Sequence, residues 1–553
     1  MSSPAQISSS HPFQFGPHEL HQVAFTYPTE FLQYQLPEYY PSIPVPRRPL
    51  THMSEFDPFA AETDDVRHTP RIKKPIHKNG NASSTGYIKF QLRSIHNSPQ
   101  FRGNRHSPPS SMHRDHEQAA SSIEIPRPVS DPSKLDSMDE KLLNFYVIGY
   151  SDGRTLIQSD NFWRENIPAM MFQSKSVKHS TLALAATYVL DYFPNDWKLL
   201  ERSNHHYRMG RKMIAEAFHD PQSHLFGNEE EMIVAISLLA VDDVVTWEQR
   251  RPQNQDPRWY TLVKAAKRIL DHENQGVKYH RAENVQLSKT IREISCWIAY
   301  VHIITELVTP SEFLGPKTIF PWLLYGGASM QTRIHGVTGA SPELLHIFAQ
   351  ITDLSARLKR KPANPVLLLQ ANKIRSELDN LRQWWVANVP FYAMEPQRLL
   401  QKYQQQIDPE TKKLVHKEAV VDVTSQAWVA AAQIYLHCRL YRRPRTARVG
   451  PLFTAQTPFC PIFIMSLAAL PEDRDTTTAW FKTVCANASE RCSVPPVWDS
   501  VQQIWKWIDV TDPDHSQSYS GSQREPWIVS DKHPWWDDMV EWIVKNEGIL
   551  CLA

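Results

Sequence analysis

Cysteine, histidine and carboxylate side chains are the groups through which this chain could hold a metal or attack a substrate. The six cysteines are Cys296, Cys438, Cys460, Cys485, Cys492 and Cys551, none in the first 295 residues and none in a C-x-x-C pair. A zinc centre needs several thiolate or imidazole ligands at close spacing. Cys485 and Cys492 stand seven apart, a spacing that could share one helix face, but no further ligand accompanies them. The pair therefore reads as structural, and the scatter of thiols suits a reducing compartment better than a disulfide framework. Many of the 24 histidines lie in a polar N-terminal stretch. There His18-Glu-Leu-His21 has i, i+3 spacing rather than the i, i+4 spacing of a zinc protease. His205-His206 precedes Tyr207 within a helical pattern and reads as surface or satisfied core. Asp242-Asp243 and Asp537-Asp538 are adjacent carboxylates whose side chains diverge on a helix, so neither makes a general acid/base pair. No nucleophile elbow, phosphate-binding loop or dinucleotide fingerprint occurs. The reading is of no catalytic residue, no cofactor and no metal.

The elements that would position any such groups divide the chain in two. Residues 1–133 hold 18 of the 42 prolines and none of the 17 tryptophans. They are rich in Ser, His and Gln and cannot bury enough apolar surface to offset chain entropy. A disordered arm is expected. From Ser137 onward apolar residues recur at helical spacing. An acidic start over 136–140 precedes Leu142, Phe145 and Tyr146. Leu182, Ala185, Ala186, Val189 and Leu190 share a face, as do Leu262, Val263, Ala266, Ile269 and Leu270. Further helices are predicted near 289–307, 342–358, 366–388, 418–442, 497–508 and 535–547. Pro194, Pro390 and Pro444 serve as stops. Strand alternation is scarce, and glycines are too few for many tight βα turns. The fold class is all-α: a multi-helix array over 136–553, large enough for two lobes. No run is long and apolar enough to span a membrane.

Charge is uneven although the total is only +1. Residues 67–114 contain ten Lys or Arg and no Asp or Glu. Within them Arg71, Lys73, Lys74 and Lys78 form a compact cationic run. On a flexible arm it suits nuclear import or non-specific phosphate contact. A second group (Arg439, Arg442, Arg443, Arg445 and Arg448) sits at a helix end, where cations complement the dipole. The tryptophan-rich end, with Trp535 and Trp542 seven apart beside Met539 and Ile543, reads as core packing ahead of a ligand box.

An ordered series of motifs runs through the helical part. It comprises Leu142-Leu-Asn-Phe-Tyr146, Phe162-Trp-Arg-Glu-Asn-Ile-Pro168, Ser180-Thr-Leu-Ala-Leu-Ala-Ala186 and His206-Tyr-Arg-Met-Gly-Arg-Lys-Met-Ile214. The segments 229–240, 259–270 and 536–543 follow. In that order they resemble the fungal-specific transcription factor domain, in the branch that includes the acriflavine sensitivity control protein. The resemblance covers about residues 136–553. It implies a nuclear regulator of RNA polymerase II genes in a filamentous fungus, with secondary-metabolite or nutrient pathways as typical targets. It also implies other transcription regulators or coregulators as partners, homo- or heterodimers, and a small-molecule effector.

In that family a six-cysteine binuclear zinc cluster precedes the helical domain and reads the DNA. Residues 1–295 offer no cysteine, so zinc and base-specific recognition are not carried over. Phosphate contacts from the basic segment position a protein without specifying a sequence. Nucleic-acid contact is accordingly expected to be weak or indirect. Two alternatives stand beside this reading: a helical ligand-binding protein or enzyme reusing the scaffold, and an incomplete gene model of a zinc-cluster factor.

Overall fold

The computed structural model describes residues 135–552, apart from 158, 160, 191, 194, 220–228, 248–256, 274–287, 311–319, 362–363, 386–389, 393–400, 408–413, 415–416, 442–458, 488–492 and 512–534. The proline-rich stretch, its aromatic residues and the basic segment 67–114 all lie outside the described residues.

The first helix begins where its acidic lead-in places it. Asp136 caps α1 (Ser137–Phe145) by accepting from the N–H groups of Met138 and Asp139, each at 2.9 Å. Such a cap satisfies amide donors that have no partner inside the helix. A π turn (Tyr146–Tyr150) and a 3-10 turn (Ser151–Arg154) lead to α2 (Phe162–Met171). Next come α3 (Lys175–Val189), α4 (Trp197–His219), α5 (Glu229–Trp247) and α6 (Arg258–Glu273). Helix α3 packs against both α4 and α5, and α5 against α6. Close approach of α3 and α4 depends on Gly210, where a Cβ would stand 3.0 Å from Ser180 Oγ.

The middle of the body is α7 (Lys289–Glu306), a 3-10 turn (Pro321–Leu324), the short α8 (Ala328–Gln331), α9 (Pro342–Arg360) and α10 (Pro365–Asn380). Ser288, Ser341 and Asn364 cap α7, α9 and α10 in the manner of Asp136. Helix α10 ends well short of the predicted 388. Leu381 turns to extended backbone, and Arg382–Trp384 (β1) pairs antiparallel with Pro390–Tyr392 (β2). Pro390 thus enters a strand instead of stopping a helix. The C-terminal part is α11 (Lys417–Tyr435) with a π turn (Leu436–Leu440), α12 (Phe459–Ala468), α13 (Arg474–Asn487), α14 (Val494–Thr511) and α15 (Trp535–Asn546). The architecture is all-α, with one two-stranded ribbon among the described residues. No helix among them is long and apolar enough to cross a membrane.

One continuous cluster of buried apolar side chains runs from Leu142 to Leu552. Its aromatic members knit distant helices together. Trp428 of α11 meets Tyr300 of α7 and Phe348 of α9 edge-on, with centroids 5.8 and 5.7 Å apart. In α15 the buried tryptophan is Trp536. Trp535 and Trp542 are only partly buried, with Trp542 turned toward Trp507. Core packing at this end therefore holds: Met539 and Ile543 are fully buried as predicted, and Trp536 takes the inner place expected of Trp535 and Trp542.

Arg439 departs from its sequence reading. Its side chain is fully buried and pairs with Asp537 at 3.3 Å, because the π turn that carries it lies beneath α15. It serves the interior and not a solvated helix end. Arg442, Arg443, Arg445 and Arg448 lie outside the described residues.

Candidate functional site

Helix α9 has two working faces. Leu344, Leu345, Ile347, Phe348, Ile351, Leu354 and Leu358 enter the core. His346, Gln350, Asp353 and Arg357 recur at three- and four-residue steps along the other side. Across from them α10 presents Gln370, Lys373, Ile374 and Glu377, and the 3-10 turn adds Pro321 and Leu324. Together these residues enclose a groove of about 420 Å³, within the roughly 300–1,000 Å³ typical of small-molecule sites.

The chemistry of the groove is specific. His346 Nδ1 and Gln350 Oε1 are buried, one helical turn apart, and neither has a hydrogen-bond partner. Leaving a buried polar atom unpaired costs about 1–3 kcal/mol, which a bound group meeting it would recover. Burial depresses His346 to a pKa of about 4, so its ring is neutral at physiological pH. The charges at the rim are already matched within their own helices. Arg357 lies 3.5 Å from Asp353, and Lys373 lies 3.5 Å from Glu377. The rim selects no strongly charged ligand. Pro321, Leu324, Ala349, Leu354 and Ile374 supply apolar wall. What fits is an uncharged, largely apolar small molecule carrying a hydroxyl or N–H for Gln350.

A second, smaller cavity of about 60 Å³ lies beside α7 and the segment 330–336. It has room for water and not for an effector. It contains Cys296, Glu293 and His335, with His335 Nε2 2.9 Å from Glu293 Oε2. That contact is close but poorly aligned, so the attraction is chiefly ionic. Tight backbone pairing positions the segment: Leu156 N–H donates to Gly336 carbonyl at 2.8 Å and Ile334 N–H to Trp384 carbonyl at 2.8 Å. A Cβ at Gly336 would collide with Thr155 Oγ1, so only glycine permits this approach.

Burial opposes charge on His335, but the Cys296 sulfur and the Glu293 carboxylate outweigh it and push its pKa well above the usual imidazole range. A raised folded-state pKa stabilises most below the unfolded value of about 6.5, and that stabilisation fades as pH climbs through the raised value. Replacing His335 by Gln is expected to open a stability gap that is widest below about pH 6.5 and narrows as pH rises above it. Urea unfolding of both proteins across that range measures it. A gap that widens with pH would contradict the assignment.

The residues singled out from sequence scatter in the fold. Arg71, Lys73, Lys74 and Lys78 lie outside the described residues, as do His18 and His21. Cys296, Cys438, Cys460, Cys485 and Cys551 form no disulfide with one another, while α13 ends at Asn487 and Cys492 lies outside the described residues. Asp242 and Asp243 are both buried in α5. Asp243 accepts from Tyr207 Oη at 3.0 Å and from Arg258 at 3.3 Å, a structural arrangement. Sequence reasoning missed the groove. His346 and Gln350 share one polar stripe on an otherwise core-facing helix, a signal that any solvated face would also give.

This is a large all-helical body with a small-molecule-sized groove and no assembled catalytic constellation among the described residues. Comparison with known families places it. The profile of the fungal specific transcription factor domain matches residues 141–548. The chain belongs to that family, whose members are transcription regulators and are not enzymes in general. No match was found among curated proteins, and none among solved structures.

Proposed function

We propose that this protein is a nuclear regulator of RNA polymerase II genes whose helical body responds to a small, uncharged effector bound between α9 and α10. The observation that carries the effector reading is the pair of buried, unpartnered atoms on His346 and Gln350 in a groove of suitable size. Helix α9 also packs on α7, α10 and α11, so occupancy of the groove bears directly on the centre of the body. The body is taken to act with partner proteins, a zinc-cluster relative or a second copy among them, with weak phosphate contact from the basic residues 67–114.

The test is a reporter assay. Fused to a heterologous DNA-binding module, the full chain is expected to change reporter transcription and to respond to small molecules that raise its melting temperature. Gln350→Leu is expected to weaken such a molecule about tenfold, one hydrogen bond's worth, without altering basal output. In a fluorescent fusion, neutralising Lys73, Lys74 and Lys78 together is expected to reduce nuclear enrichment. Uniform cytoplasmic signal from the intact fusion, with no reporter effect, would defeat the proposal.

A further inference from the structure

The adjacent histidines His205 and His206 acquire a third partner only in the fold. Helix α4 carries both, and α3 brings His179 against them. Ligand nitrogens from the three rings all lie within 4.8 Å of one another. The ring centroids are 6.0, 5.1 and 5.4 Å apart. His206 is almost wholly buried and His205 is exposed, so the cluster runs from the helix interface outward to solvent.

The proton positions within the cluster follow from its neighbours. His206 Nε2 lies 3.0 Å from Asp139 Oδ1 and donates to it. In the tautomer that carries its single ring proton on Nε2, His206 offers a bare lone pair at Nδ1. That atom faces His179 Nδ1 at 2.8 Å, so in the metal-free protein His179 carries the bridging proton. Asp139 is itself held, its N–H bound to Asp136 Oδ1 at 2.9 Å and its carboxylate 3.5 Å from Arg202 Nε. A carboxylate that fixes the tautomer and orientation of one imidazole is the usual outer support of a histidine metal ligand.

We propose that His179, His205 and His206 bind a divalent first-row transition-metal ion of the zinc type, with Asp139 orienting His206. On binding, His179 moves its proton from Nδ1 to Nε2, and both Nδ1 lone pairs turn to the metal. Zn–N bonds of about 2.0–2.1 Å in a tetrahedron place ligand nitrogens roughly 3.3 Å apart. The His179–His206 pair therefore needs to open by about half an ångström, within reach of small ring rotations. Three imidazoles without a thiolate favour zinc, nickel or copper over magnesium or calcium. The exposed side at His205 leaves the fourth position to water or an exchangeable ligand. Lys178, Arg202 and Arg208 add opposing positive potential, which Asp136 and Asp139 offset. The bound ion would clamp α3 to α4, the most extensively packed helix pair among the described residues.

The test uses the purified full-length protein, stripped with a chelator and titrated with Zn²⁺ alone, then with Co²⁺ as a spectroscopic probe. Histidines elsewhere in the chain make stoichiometry a comparison between variants. Wild type is expected to bind one more tight equivalent of Zn²⁺ than His179→Ala or His205→Ala, and to give tetrahedral Co²⁺ absorption that both variants lack. Its melting temperature should rise with Zn²⁺ while theirs stay unchanged. His205→Ala alters an exposed side chain and is expected to fold like wild type, so failure to fold does not cloud the result. Asp139→Asn should weaken the site at least tenfold without abolishing it. Equal Zn²⁺ stoichiometry and equal thermal response in wild type and both alanine variants would overturn the proposal.

Discussion

Asp537→Ala is expected to destabilise the helical body by about 3–5 kcal/mol, the range for breaking one side of a buried ion pair. Arg439 has no solvent exposure along its side chain and lies 3.3 Å from Asp537, which is itself almost fully enclosed. Its Nε also reaches Ser355 Oγ of α9 at 3.3 Å. Guanidinium cannot shed its proton within the accessible pH range, so removing Asp537 takes a carboxylate partner from a fully buried charge at the junction of α9, α11 and α15. Domains are stable by only about 5–15 kcal/mol, which makes a loss of this size close to unfolding for a single change. The reverse deletion, Arg439→Met, should be milder, because a stranded carboxylate can take up a proton. The double change Arg439→Met with Asp537→Leu should fall between wild type and either single variant, or exceed wild type. Urea unfolding of the four proteins measures the series. A loss below about 1 kcal/mol for Asp537→Ala would show the pair to be solvated in solution.

Trp428→Ala should be comparably damaging, at about 3–5 kcal/mol. The indole is wholly buried where α7, α9 and α11 meet, and its two edge-on aromatic contacts come from Tyr300 and Phe348. Three separate helices surround the void left by alanine, so collapse around it would be incomplete. Trp428→Phe separates volume from polarity. The buried indole N–H has no hydrogen-bond partner; phenylalanine removes that unsatisfied donor while keeping much of the ring. Its expected cost is less than half that of alanine. Thermal unfolding checks both values, and near-UV circular dichroism reports the altered packing. Phe348 belongs to the same helix as His346 and Gln350, so the alanine variant should also weaken any effector that binds the groove.

Most helices were legible because a helix writes its burial into the chain every three to four residues. The acidic lead-in to α1 and the periodic runs of α3, α6, α7 and α9 marked real helices within a few residues of their ends. The overshoot at 366–388 has a tertiary cause. Residues 382–384 have a partner strand at 390–392 and a parallel bridge from Arg333 to Trp384. Pairing of that kind leaves no trace in local periodicity. The family, too, was legible from the order of motifs between 142 and 543, as the match over 141–548 bears out.

The sites were not legible. His346 and Gln350 matter because α10 and the 3-10 turn stand opposite them, and nothing in 346–350 announces that wall. His205-His206 was visible as a pair, but His179 is 26 residues earlier than His205, and Asp139 is 67 residues from His206. Arg439 reads locally as a helix-end cation, and only α15, almost a hundred residues later, supplies its buried partner Asp537.

By itself the sequence determined an all-helical body, its family, and the lack of any cysteine before Cys296, because composition and periodicity are properties of neighbouring residues. Tertiary structure alone decided which histidines converge, which arginine is buried and where a ligand-sized groove opens. Those depend on how helices cross, and a crossing joins residues whose separation along the chain carries no record of it.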